Sequence, residues 1–207
     1  MTKRGIGIVF VALGAVMLLG ALLLTAMYEK READAGHNAE MLMQEFGRSE
    51  ATAIAPLLPP TSDGESVDGA AAQAAVPEMA TADYQGLQML GVIRVPSCGI
   101  ELPVLDNWSM STLEYAPCRY TGNIYSGDLV IMGHNYTAHF KPLKKIAPGA
   151  AVEFESVDGA VLHYTVDRID SLHRNETEKL ASEHELILFT CEKYGAYRFV
   201  ARCSLVS

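Results

Sequence analysis

Near the end of the chain, in "ELILFTCEKYGAYRFVARC", an apolar run stops at Cys191 and a second opens at Arg198. Six residues lie between them, and Gly195 relaxes the turn, so the two runs form a β-hairpin. Opposite residues on paired strands hold their Cβ atoms roughly 4.5–5.5 Å apart. Such a hairpin puts a sulfur nucleophile beside a guanidinium that stays charged and whose fork suits a developing oxyanion. The backbone N–H of Glu192 offers a second donor.

A thiol nucleophile also needs a proton partner, and the sequence supplies six histidines. His37 lies in a polar segment near the start. His163 is inside an alternating strand, as a barrel residue. His173 and His184 lie in a charged loop region. His134 and His139 remain, in "IMGHNYTAHF". His134 closes the apolar strand "GDLVIMGH", where a rigid scaffold presents a side chain to a cleft. His139 is the alternative base or a surface residue.

The elements that position these groups are short. "MLGVIRV" and "IELPVL" form two strands about a turn at Pro96–Gly99. "AAVEFES", "VLHYTVDRI", "LILFTC" and "RFVARCSLV" give four more, with Asp158-Gly159 a hairpin signal between the first two. Ser111, three residues before Glu114, marks the start of one short helix, and Pro142 lies in a helical turn. Seven or eight short strands with little helix predict a closed barrel or sandwich. Trp108 is expected at the core or rim.

Ahead of this part lies a different composition. Gly5 to Met27 holds 23 residues without a charge. As a helix it covers about 35 Å, enough for a bilayer core of about 30 Å. A cleaved signal would have a shorter apolar region. The only nearby small-residue site, Ala33-Asp34-Ala35, sits behind four charged residues. An uncleaved anchor is therefore expected, with Lys3 and Arg4 on the cytoplasmic side. Residues 28–50 form a polar helical stalk with Met41, Met43 and Phe46 as its stripe. Residues 51–83, with ten alanines, four prolines and no aromatic residue, form a flexible linker. The domains expected are thus 1–27 anchor, 28–50 stalk, 51–83 linker and 84–207 catalytic barrel. A net charge of −9 excludes a phosphate-neutralising nucleic-acid binder.

Gly133-His134-Asn135 after a strand, "LFTC" ending at Cys191 and an arginine opening the last strand resemble the sortases, cysteine transpeptidases of the Gram-positive envelope. "GVIRVPSCGIELPVL", "YTGN" and "HFKPLKKIAPGAAVEF" are also similar to sortase sequence. Ile187 stands where these enzymes usually carry threonine. The resemblance implies an eight-stranded β-barrel that is mainly β, with short helices, behind a transmembrane helix. It implies His134, Cys191 and Arg198 as catalytic residues, with Thr190 and Glu192 at the substrate. It implies no metal or organic cofactor. The implied reaction is cleavage of an LPxTG-like sorting signal on a surface protein. The acyl group would pass through a thioester to an amine of a peptidoglycan precursor or a pilin. "MGHNYTAHFKPLKKI" resembles class B and class D members, and no Asp-Pro-aromatic lid motif is present. The acidic residues between Asp167 and Glu185 are expected to be a solvated loop rather than a calcium site. Of the four cysteines, Cys203 should pack as a small apolar residue, and no structural disulfide is expected. A hydrolase using water as acceptor and a tethered, non-catalytic barrel are the competing readings.

Overall fold

The structure, a computed structural model, describes residues 3–53, 76–180, 184–192 and 195–206. It opens with one helix, α1 (Lys3–Ala53). Nine strands follow among the described residues. They are β1 (Ala82–Tyr84), β2 (Leu87–Val95), β3 (Ile100–Leu105), β4 (Cys118–Thr121), β5 (Leu129–Gly133), β6 (Ala151–Ser156), β7 (Val161–His173), β8 (Leu186–Glu192) and β9 (Tyr197–Leu205). Strand order is β1-β2-β3-β4-β5-β8-β9-β7-β6, and a β2–β6 pairing joins the ends. Eight strands therefore close a barrel, and β1 is an appendage on β2. Most of the expected linker, residues 54–75, lies outside the described residues. Its far end is packed: Met79 is buried in the core.

Closure requires a close approach that only glycine permits. A Cβ on Gly91 of β2 would fall 2.0 Å from the Glu155 carbonyl oxygen of β6. The barrel is filled by residues such as Phe154, Tyr164, Ile93 and Leu188. Strands β2, β5 and β8 are also covered outside, which is why they read as unbroken apolar runs rather than alternating ones. Outside β2, Met89 and Val92 meet Leu42 and Phe46 of α1. Outside β5 and β8, Val130, Ile187 and Phe189 meet Leu180.

The buried stripe of α1 is Ala35, Ala39, Leu42 and Phe46. These steps of four, three and four residues keep to one helix face. Met41, expected in the stripe, is 41% exposed instead; Leu42 takes its place because it lies one turn before Phe46. The stretch after Ser111 is a single 3-10 turn, Thr112–Glu114, with no cap from the Ser111 side chain. Ser109 caps it, its Oγ accepting from the Thr112 N–H at 3.0 Å. His163 faces outward on β7, its side chain 63% exposed.

Candidate active site

Three neighbouring strands bring the sequence-selected residues together. In the parallel pair β5–β8, Gly133 is opposite Thr190. His134 and Cys191 are the next residues on each chain. In the antiparallel pair β8–β9, Cys191 is opposite Arg198. The residues that carry the imidazole, thiol and guanidinium thus stand next to one another at the ends of adjacent strands, which run about 4.8 Å apart.

The alternation of β8 sets the direction of each side chain. Leu186 and Leu188 point into the barrel, and Ile187 and Phe189 point out. Cys191 belongs to the outward set and is half-buried. Thr190 belongs to the inward set and is fully buried. Its Oγ1 donates to the Gly133 carbonyl at 2.8 Å. Thr190, expected at the substrate, instead ties the end of β5 to β8 one residue before His134 and Cys191. Glu192 accepts from the Ser171 hydroxyl at 3.4 Å. Arg198 turns one arm of its fork to the loop, Nη1 donating to the carbonyls of Gly195 at 3.0 Å and Tyr197 at 3.3 Å.

The backbone at Gly133 explains that residue. A Cβ there would lie 2.6 Å from the Phe140 ring, and the Phe140 N–H donates to the His134 carbonyl at 3.0 Å. Phe140 thus braces both residues. Gly133→Ala should cost about 1–3 kcal/mol by overpacking and displace the imidazole; urea melts and turnover of the variant check this.

His134 sits among groups that sequence reading did not select. Its Nε2 is 3.8 Å from Glu114 Oε1, its ring is 4.6 Å from that of Tyr136 and 6.4 Å from that of His139. Burial lowers its pKa; the Glu114 carboxylate raises it and Arg31 of α1 lowers it, leaving it below the ordinary value. Glu114 had a visible signal, an acid beside an apolar turn. Arg31 had none, because only docking of α1 brings it near.

His139 is 1% exposed, and its ring nitrogens lack hydrogen-bond partners. They face the backbones of Ala35 and Tyr115, and burial, with the His134 charge, pushes the pKa down to about 4. It is therefore sealed from substrate. A depressed folded pKa means that its contribution to stability is present above pH 6.5 and is lost as pH falls towards about 4. Full protonation costs about 3 kcal/mol. Thermal melts from pH 7 to 4.5 should fall more steeply for the parent than for His139→Leu.

All four cysteines are free thiols. Burial pushes Cys118 and Cys203 up to about 12, which leaves them unreactive. Cys191 and Cys98 are the half-buried pair. No cluster among the described residues could hold a metal ion. In the acidic stretch, Asp170 pairs with Arg202 and Arg168, and Glu176 with Lys179.

Outside β8 the apolar residues behind the thiol, Phe189, Ile187, Val130 and Val200, are buried under Leu180. Tyr120 meets Phe189 edge-on at 5.3 Å, and Trp108, 44% exposed, stacks on Tyr120 at 5.6 Å.

Residues 93–206 match the sortase domain family model, more than half of the chain. Sortase A from Corynebacterium diphtheriae is 25% identical with a TM-score of 0.52; the match covers 57% of this chain and 61% of that one. Streptococcus pneumoniae sortase C is 22% identical (TM-score 0.51, 57% and 69% covered). Clostridium perfringens sortase C, solved with the C-terminal cell wall sorting motif, is 22% identical (TM-score 0.52, 62% and 74% covered). Among curated proteins none matches. With the closed eight-stranded barrel and the ordered His, Cys and Arg strand ends, the match leads to one assignment: the chain belongs to the sortase family, whose members are cysteine transpeptidases.

Proposed function

We propose that this protein is a membrane-anchored transpeptidase that cleaves an LPxTG-like sorting signal and transfers the acyl group to an amine. The observation that carries this reading is the adjacency of His134, Cys191 and Arg198 on three neighbouring strand ends. The Cys191 thiolate attacks the scissile carbonyl; a C–S bond forms and the C–N bond breaks. The His134 imidazolium gives its proton to the departing amine. An incoming amine then attacks the thioester, loses a proton to the imidazole and restores the thiolate. Arg198, swung from the loop carbonyls, and the Glu192 N–H steady the oxyanion. Thr190 acts by positioning. The exposed face of Trp108, which stacks on Tyr120 beside Phe189, receives an apolar side chain of the signal, as suits a relative solved with a sorting motif. The helix from Phe10 is apolar and long enough to span a membrane, and Lys3 and Arg4 inside would leave the barrel outside the cell.

Expulsion of the amine needs His134 as the imidazolium, and burial of His134 makes that form scarcer. Glu114→Gln removes a group that favours it. The acid limb of the pH–rate profile should then move to lower pH. The plateau should fall roughly two- to fivefold, the worth of a partly exposed ion pair.

The test offers a pentapeptide library to the full chain in detergent, with and without glycinamide. Acyl transfer predicts a mass adduct on Cys191 and a glycinamide-capped product. Free acid alone, with the amine present, supports a peptidase. No adduct, with Cys191 alkylated no faster than Cys98, supports a binding barrel.

A further inference from the structure

Helix α1 is continuous through the end of its apolar run at Met27 and into the part that packs on the barrel. Contact begins where that run ends. From Phe10 to Met27 every residue is exposed. Tyr28, the next residue, meets the Tyr136 ring edge-on at 5.9 Å. One turn later Glu32 accepts from the Thr137 N–H at 2.6 Å and lies 3.9 Å from Lys141 Nζ. Gly36 then passes Ala138, where a Cβ would stand 3.1 Å from its methyl. The part of the barrel nearest the apolar run is therefore the segment that follows His134.

The headgroup layer is about 5–7 Å thick on each side of a bilayer core of about 30 Å. Tyr28 to Glu32, four helical steps, rise about 6 Å. Tyr28 and Glu32, the first two residues to hold the His134 segment, thus lie within the headgroup layer if Met27 marks the edge of the core. Lys30, Arg31 and Lys141 are exposed at this level and suit anionic headgroups. Glu29 is exposed there too, and Glu32 is engaged with Thr137 and Lys141.

We infer that the docked helix holds the mouth of the barrel, with His134 and Cys191, against the lipid headgroups. Chemistry is then confined to peptide bonds presented at the membrane surface, and α1 sets the working height as well as the attachment. This rests on the anchor reading above. It extends that reading, because an anchor on a free linker would leave the mouth's height and direction undefined.

The test needs no substrate. The full chain is placed in nanodiscs of phosphatidylglycerol and phosphatidylethanolamine carrying a small fraction of lipid with maleimide attached directly to its headgroup. Three thiols report: native Cys191, Thr137→Cys on the segment that follows His134, and Gln44→Cys. Gln44 is exposed on α1 and 16 residues beyond Tyr28, about 24 Å higher along the helix. Each lipid-maleimide rate is divided by the rate with soluble N-ethylmaleimide. The ratio should be at least tenfold higher at Thr137→Cys and Cys191 than at Gln44→Cys. A flexible Gly-Ser spacer inserted between Met27 and Tyr28 should erase the difference. Equal ratios in the unspaced chain overturn the inference, as does a chain that fails to travel with the nanodisc. An unreactive Cys191 beside a high ratio at Thr137→Cys overturns the nucleophile instead and leaves the orientation standing.

Discussion

Cys191→Ala should abolish acyl transfer, by at least about 10³-fold, while leaving the barrel folded. The expectation comes from what stands near the thiol. Cys118 and Cys203 are buried, with their thiols pushed up to about 12, so neither can substitute. Cys98, the remaining half-buried thiol, lies in the one-turn helix Pro96–Cys98, which leads into β3. Alanine keeps the β8–β9 pairing, because the register at residue 191 is made by backbone groups. The change in unfolding free energy should stay near 1 kcal/mol or below, the usual range for a partly exposed site. Peptide turnover and a thermal melt on one preparation check both halves. Turnover above a tenth of the parent would show that the chemistry runs elsewhere.

Asp170→Ala should be the most damaging change to stability among those considered. Arg202 on β9 is 3% exposed. Its Nε donates to Asp170 Oδ2 at 2.5 Å and its Nη2 to the Lys179 carbonyl at 2.6 Å. Burial alone would raise the Asp170 pKa. The Arg202 hydrogen bond and the charges of Arg168 and Arg202 outweigh it and hold the carboxyl below its usual range. Removing the carboxylate leaves a guanidinium buried without its counter-charge, which costs about 3 kcal/mol or more. For a barrel of this size that is a fall in Tm of roughly 10–15 °C. Arg202→Met added to Asp170→Ala should recover most of the loss, because the charge then leaves with its partner. A single variant as stable as the parent would mean that solvent already reaches Arg202.

Much of this could be read before any coordinates. The strands around Cys191 and His134 are covered on both faces, so their apolar runs stood out. The hairpin between Cys191 and Arg198 announced itself through its spacing and Gly195. What escaped was carried by tertiary contact. β4, of four residues, joins β3 through one parallel pair, Leu105 with Cys118, and no pattern of alternation marks so short a strand. The docked face of α1 depends on Ala35 and Ala39, small residues chosen for close approach and invisible to a search for large apolar ones. Thr190 looked like part of a motif at the substrate; its inward direction follows from its place in the alternation of β8, in step with Leu186 and Leu188. The setting of His134 needed Arg31, Glu114 and Tyr136 together, and these lie far apart along the chain.

The pairing of β5 with β8 has a consequence in time. His134 and Cys191 are 57 residues apart in sequence, and their strands run parallel, so no local hairpin can join them. The chain of β6 and β7 is the loop that must close before the imidazole meets the sulfur. Catalysis therefore waits until these distant strands have paired. Onset of peptide turnover during refolding would then be a clock for completion of the barrel.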